Sequence, residues 1–397
     1  MSLLQNSSPK PKVKIIAVAK DEAAYLPEWV FHHLNVGFDA IDIYINRTSD
    51  NTDAIAKKIQ ESFSNVRFFN ADWVDFCPDQ VKKNIQYVVY SKAFYEEVKA
   101  DEFDYIFYLD IDEFWMSNDS VSSIQDFIIA NDFPDTLSFQ WINEYGGQQP
   151  FQTLKGEING ALHPLVKTAV KINCNMKAMG FHFPLLHSGR SVLCDGTKFR
   201  SDPKLRECLH SRLHQVRAAM VVHRMFRSPM EYVSLLNRGR PSDKLNIKLN
   251  RSGYNFSLGE DVSFVTEQVN AKSYSSKLDA FISDLEPELS ISREFVKSRY
   301  NNCLSSISSV PLIYALDLLR VFRGCTEREF SHVIKSITNA SNLKQCKSAE
   351  ALRDLAVALE SIDLAASLRV MEQALVVRPG GPMIMNKIAS YRKTLNL

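Results

Sequence analysis

Long apolar runs are missing from this chain of 397 residues: no stretch reaches the ~18 apolar residues that a membrane-crossing helix needs. The most apolar late segment, Val310 to Phe322, is short and carries Asp317 and Arg320. Met1 to Lys12 is polar, with serine and proline, and lacks the apolar centre of a secretory signal. Paired cysteines are missing too. The seven cysteines, at 77, 174, 194, 208, 303, 325 and 346, are odd in number and scattered, with no Cys-x-x-Cys. That excludes a disulfide framework or a zinc knuckle and fits free thiols in a reducing, cytoplasmic compartment. An excess of one charge is also lacking: the formal net charge is +1. Nothing in that balance argues for a nucleic-acid stripe or a polybasic membrane arm. No low-complexity tract occurs, and the length predicts two domains.

What is present is an acidic cluster behind a strand. Tyr105 to Leu109 is apolar, aromatic and β-branched, too short for a helix and suited to a buried strand. It ends in Asp110, Asp112 and Glu113, three acids within four residues. Open α/β sheets bind ligands at that edge. Crowded carboxylates repel one another unless a positive group lies among them. Hard oxygen ligands suit Mg2+ or Mn2+, and such an ion would neutralise a phosphate-bearing substrate.

Other elements alternate around this strand. Lys12 to Ala19, Ile41 to Ile45 and Val66 to Asn70 read as strands. Helices are expected from Ala23 to Val36, from the polar loop Asn46 to Thr52 on to Phe63, and from Lys82 to Lys99. This alternation predicts a parallel, doubly wound sheet with polar βα junctions along one edge. Leu137 to Ile142 and Ala218 to Val222 are further strands, and Phe151 to Lys177 is less regular. Ser228-Pro229-Met230-Glu231 is a helix start with a capping box. From Phe256 onward strands are not expected and helical spacing dominates. Residues 355 to 379 loosely resemble one tetratricopeptide unit.

These pieces together resemble a GT-A-type glycosyltransferase, and are similar to bacterial relatives of families 2 and 92. The residues that carry the likeness are Lys20-Asp21-Glu22, Tyr25 to Trp29, the Asn46 to Asp50 loop, Gln86, and Leu109 to Phe114. Trp141, Gly146-Gly147, His182 to Pro184, and His223 through Gly239 complete it. The resemblance implies a Rossmann-like, mostly parallel GT-A domain over 13–260, after a flexible N-terminus over 1–12. An all-α helical domain over 270–397 lies outside it. It implies transfer of a hexose from a UDP-sugar to a glycan or glycolipid acceptor, with inversion, in surface-polysaccharide assembly such as lipopolysaccharide. Such an enzyme would work at the cytoplasmic face of the inner membrane.

In that reading Asp112 is the principal metal ligand. Asp110 holds the ribose or a metal-bound water, or joins the metal, and Glu113 supports both. His223, or in competition His182, completes the Mn2+ or Mg2+ site. Lys20, Asp21, Glu22, Asp50 and Gln86 serve the nucleotide, although Asp21 stands where relatives commonly have Asn. Asp50 alternatively caps a helix. Glu144, after the strand Leu137 to Ile142, is the candidate base. Lys167, Lys171, Arg224, Arg227, Arg238 and Arg240 supply cations, one or two for the diphosphate and the rest solvated. For the helical domain, acceptor contacts, homo-oligomer contacts and a membrane-facing surface stand as alternatives.

Two competing readings remain. Strand-Asp-x-Asp also occurs in haloacid-dehalogenase-type phosphatases, but there Thr or Val normally follows, where this chain has Glu113-Phe114. The other is a non-catalytic scaffold with a degenerate transferase domain.

Overall fold

The computed structural model describes residues 10–238 and 245–397. Most of the segment expected to be flexible, and Arg240, lie outside them. Among the described residues the chain is mixed α/β, and contacts divide it into two compact units. The first comprises residues up to Arg227 together with Ser257–Val296; the second comprises Ser228–Phe256 and Lys297–Leu397. Both are discontinuous in sequence, so the expected division between 260 and 270 falls inside a stretch that packs with the first unit.

The first unit is built on one sheet. Its strands are β1 (Val13–Ala19), β2 (Ala40–Ile45), β3 (Val66–Asn70), β4 (Tyr105–Tyr108), β5 (Glu113–Ser117), β6 (Thr136–Glu144), β7 (Glu157–Lys171), β10 (Ser191–Leu193), β11 (Ala219–His223) and β12 (Glu260–Val265), with β8 (Asn175–Ala178) and β9 (Leu185–Ser188) forming a separate hairpin. The main order is β3-β2-β1-β4-β7-β6-β11-β5. The first four strands are parallel, as the βα alternation predicts. β7 then enters antiparallel to both β4 and β6. β5 pairs antiparallel with β11, and β12 antiparallel with β7. β11 and β10 both pair parallel with β6, so the sheet is mostly parallel, as expected, with antiparallel pairings at β7, β5 and β12. Six strands went unread: β5 in the acidic cluster, β7 in the stretch thought irregular, the short β8, β9 and β10 after it, and β12 beyond the point where strands were to vanish.

Burial explains the assignment. β2, β4, β6 and β11 are buried at every position, the run-like pattern of central strands covered on both faces, and so is β5 at the end of the order. The helix Leu26–Asn35 covers one face and buries Leu26, Trp29, Val30 and Phe31. The helix Ile85–Ala100 covers the other through Val89, Tyr90 and Ala93. Leu278, Leu285 and Leu289, from the later stretch, join the core of this unit.

The second unit is helical. Its first helix, Pro229–Leu236, begins with the expected capping box: Ser228 and Glu231 satisfy each other's backbone N–H groups. Helices Ala349–Leu359, Leu364–Val377 and Pro382–Leu395 follow one another with short connections. Among the described residues no single helix is long and apolar enough to cross a membrane.

Candidate functional site

β4 ends at Tyr108, and the chain turns back through Asp110 to Asp112 into β5. The turn is tight. The Glu113 N–H donates to Asp110 O (3.0 Å), and the Asp110 N–H donates to Glu113 Oε2 (2.9 Å). The three acids consequently differ in environment. The Glu113 side chain is fully buried, whereas Asp110 is 29% and Asp112 19% exposed.

The charge between the first and last acid comes from the protein itself. Lys167 projects from β7, with Nζ 3.2 Å from Asp110 Oδ2 and 3.0 Å from Glu113 Oε2. Gln86 Nε2 donates to the other Asp110 oxygen at 2.6 Å. Burial works to discharge Lys167, but Asp110 and Glu113 outweigh it and hold the ammonium above its ordinary value. Burial pushes the Glu113 carboxyl well above the carboxylate range, against the pull of Lys167, because two acids share one ammonium. Lys167 is thus not one of the solvated cations, and each Asp110 oxygen already accepts one hydrogen bond from the protein. Gln86 does stand against the acidic cluster.

Asp112 faces a histidine instead. Its Oδ2 lies 3.4 Å from His223 Nε2, at the end of β11. A chain of hydrogen bonds fixes that ring. Ser257 Oγ donates to Leu258 O (3.2 Å) and accepts from Asn143 Nδ2 (2.7 Å). Asn143 Oδ1 then faces His223 Nδ1 at 3.1 Å and can only accept. Nδ1 therefore carries a proton, and Nε2 faces the Asp112 carboxylate. A cation could bridge the two groups there. The donor set, one carboxylate oxygen and one imidazole nitrogen, fits Mn2+ or Mg2+ with two protein ligands. Among the described residues no group of three or more His, Cys, Asp or Glu is arranged to hold an ion. β7 approaches this chain closely: a Cβ on Gly160 would lie 2.3 Å from Asn143 O.

His182 is placed differently. It stands edge-on to Trp141 at 4.9 Å and 83°, and burial, helped by Lys167, lowers it to about 2. It remains neutral, and its Nδ1 is buried without a hydrogen-bond partner among the described residues. Trp141 also packs on His223, at 4.3 Å.

Glu144 ends β6 and is bound by Arg224, whose Nε donates to Oε2 at 2.8 Å. The same guanidinium reaches Glu28 Oε2 (3.3 Å) and Gln152 O (2.9 Å), while the Arg224 backbone N–H donates to Asp112 O (2.7 Å). One buried arginine thus carries two carboxylates beside Asp112. Burial raises the Glu28 carboxyl above its ordinary value, although Arg224 opposes it. Sequence reasoning quoted Glu28 but gave it no role. Its signal was an acid in the first turn of the helix after β1, facing the same sheet edge.

Two of the expected nucleotide ligands, Asp21 and Asp50, tie the first two loops together. Asp21, at φ +53°, accepts from Ser49 N–H (2.7 Å) and Ser49 Oγ (3.0 Å). Asp50 accepts from Ala23 N–H (2.9 Å), Thr48 Oγ1 (2.8 Å) and Thr52 N–H (3.0 Å). The last bond reaches the first N–H of the helix Thr52–Ser62, whose N-cap position is Asn51. Glu22 is buried, 3.7 Å from Arg227 Nη1, and Arg227 stacks 3.4 Å over the Tyr25 ring. Lys20 is half-buried at the end of β1. Asp110, Asp112, Gln86, His223 and Glu144 are therefore linked through Lys167, Asn143 and Arg224. Asp21 and Asp50 make a separate staple between loops.

No family model matches this chain, and no curated protein matches it. Among solved structures, the crystal structure of HddC from Yersinia pseudotuberculosis is similar in part, at 12% identity over 46% of this chain and 90% of that chain, with a TM-score of 0.29. A likeness at that level carries no argument about function, so the reading below rests on the site itself.

Proposed function

We propose that the first unit is a GT-A-type glycosyltransferase domain that moves a hexose from a UDP-sugar to a glycan or glycolipid hydroxyl, with inversion. The observation that carries this reading is His223 Nε2 held against Asp112 by the Asn143 contact at Nδ1, beside an Asp110 clamped by Lys167 and Gln86, all at one edge of the sheet. Asp112 and His223 would hold a divalent ion, leaving the remaining positions to donor oxygens. When bound, that ion offsets the negative charge that builds on a departing diphosphate. Gln86 and Lys167 would hold the Asp110 carboxylate in place at the sheet edge, where it can accept a further hydrogen bond from a ribose hydroxyl. The carboxylate pair on Arg224 is where a proton can leave the acceptor hydroxyl. Glu144 is the base in this reading: it takes the one proton of the acceptor hydroxyl as the new glycosidic bond forms and the diphosphate leaves, and Glu28 shares Arg224 with it. The setting we propose is surface-polysaccharide assembly at the cytoplasmic face of the inner membrane.

Thermal melting in the presence of UDP, UDP-sugars and other nucleotides, each with Mn2+ or with EDTA, tests the donor class. A ligand that binds only the folded state raises the melting temperature by mass action. A rise with UDP or a UDP-sugar that disappears with EDTA is expected; no rise with any nucleotide would favour the scaffold reading. Asp112→Asn should abolish both the Mn2+-dependent rise and transfer while the metal-free melting temperature stays near wild type. His223→Ala should weaken Mn2+ binding, read by titration calorimetry with UDP present, more than His182→Ala does. The opposite ranking would move the metal to the Trp141 side.

A further inference from the structure

The near-zero net charge conceals a local imbalance. Between 187 and 217 the chain carries seven Lys and Arg against three acids. The three acids are turned to internal work: Asp195 pairs with Arg217 (2.9 Å), Asp202 accepts the N–H groups of Lys204 (2.8 Å) and Leu205 (3.2 Å), and Glu207 accepts that of Phe181 (3.1 Å). Lys198, Arg200, Lys204, Arg206 and Arg212 are all exposed, and none has an ion pair or side-chain hydrogen bond among the described residues. Elsewhere exposed cations commonly have a carboxylate at hand, as in Lys92–Glu96 and Arg392–Glu372.

These cations sit on a packed platform. Phe183 and Phe199 stack at 3.9 Å and 10°, and they share a small core with Val166, Leu193 and Leu209. The platform is fastened to β7: Leu209 N–H donates to Pro164 O at 2.7 Å, three residues before Lys167. At its tip Leu205 is 62% exposed, between Lys204 and Arg206.

We propose that this face docks the protein onto an anionic phospholipid bilayer, with the five cations against headgroup phosphates and Leu205 entering the interfacial layer. Rigidly placed cations near an anionic surface contribute about fivefold each to binding, and an aliphatic side chain among them adds an insertion contact. A single-stranded nucleic acid fits less well. Such sites interleave cations with exposed aromatic rings on which bases stack. Here the large exposed apolar residues of the segment are Leu205 and Val216, both aliphatic. The inference does not depend on the transferase reading, since binding to lipid needs no donor and no metal.

Vesicle co-sedimentation tests it with the full chain. Vesicles of phosphatidylcholine alone are compared with vesicles containing about one-third phosphatidylglycerol, at low salt and at about 0.5 M salt. Binding is expected to the anionic vesicles alone and to fall steeply with salt. Replacing Lys204, Arg206 and Arg212 by Gln together should weaken it by about a hundredfold, at about fivefold per cation. A control with Arg328, Lys335 and Lys344 replaced by Gln loses the same charge elsewhere and should bind as wild type. Leu205→Ser should weaken the salt-resistant remainder. Equal binding to neutral vesicles, or equal loss in the control, overturns the proposal. So does a single-stranded oligonucleotide that binds more tightly than the anionic vesicles through the same three cations.

Discussion

At the scale of single residues, the site turns on which carboxylate owns which cation. Lys167 is 1% exposed and lies between Asp110 and Glu113. Lys167→Met keeps the volume but leaves the buried Glu113 and the partly exposed Asp110 without their ammonium, a change worth up to about 3–5 kcal/mol when one member of a buried pair is removed. We expect a large fall in urea midpoint, partly recovered by adding Glu113→Gln. If Lys167→Met melts like wild type, the pairing described here is wrong. The identity of Asp110, Asp112, Gln86, His223 and Glu144 as neighbours of one edge was legible, because each stands at a strand end or faces one. Lys167 was not. Its strand carries Gly160 and Pro164 and few consecutive strand formers, so the segment reads as irregular, and nothing local reveals that its lysine points inward. Asp21 and Asp50 have the composition of ligands and the geometry of staples, a difference that only the neighbouring loop decides.

At the scale of elements, the helix Leu26–Asn35 illustrates how a covered face is closed with polar groups. His32 and His33 are both fully buried within it. His32 donates from Nε2 to Trp115 O (2.8 Å) and accepts at Nδ1 from Tyr274 OH (3.1 Å). His33 donates from Nδ1 to Trp29 O (2.8 Å) and accepts at Nε2 from Trp115 N–H (3.3 Å). Each neutral ring has one donor and one acceptor satisfied, so protonation would break a bond in either. Burial lowers His32 to about 4 and His33 well below its ordinary value. The unfolded chain therefore binds more protons, and stability falls as pH falls below ~6.5, by on the order of 3 kcal/mol from His32 alone by pH 4. Melting temperature measured from pH 7.5 to 4 should show that slope, and His32→Gln should flatten it; a slope unchanged by the substitution would assign it to other groups. The helix itself was legible from its apolar spacing. The fate of its histidines was not, since Tyr274 lies 242 positions away from His32.

At the scale of the whole chain, the first unit is interrupted by part of the second. β12 pairs with β7, and Tyr274, Leu278, Leu285 and Leu289 complete the core of that unit. A chain cut at residue 260, the boundary composition suggests, would expose that core. We expect it to be recovered mainly as aggregate, or to melt well below the full protein; a soluble fragment with the full melting temperature would refute the division. Composition located the switch to helices but could not see that one more strand and a helix return to the sheet. The placement of β7 also bears on how the molecule comes into being. During synthesis β4 and its acids emerge more than fifty residues before Lys167, and until β7 is inserted one side of β4 has no partner and its carboxylates have no ammonium. The halves of the sheet are joined by a strand that arrives late, so the nascent chain must hold its acidic corner open to water, and the site closes only when the centre of the sheet is threaded.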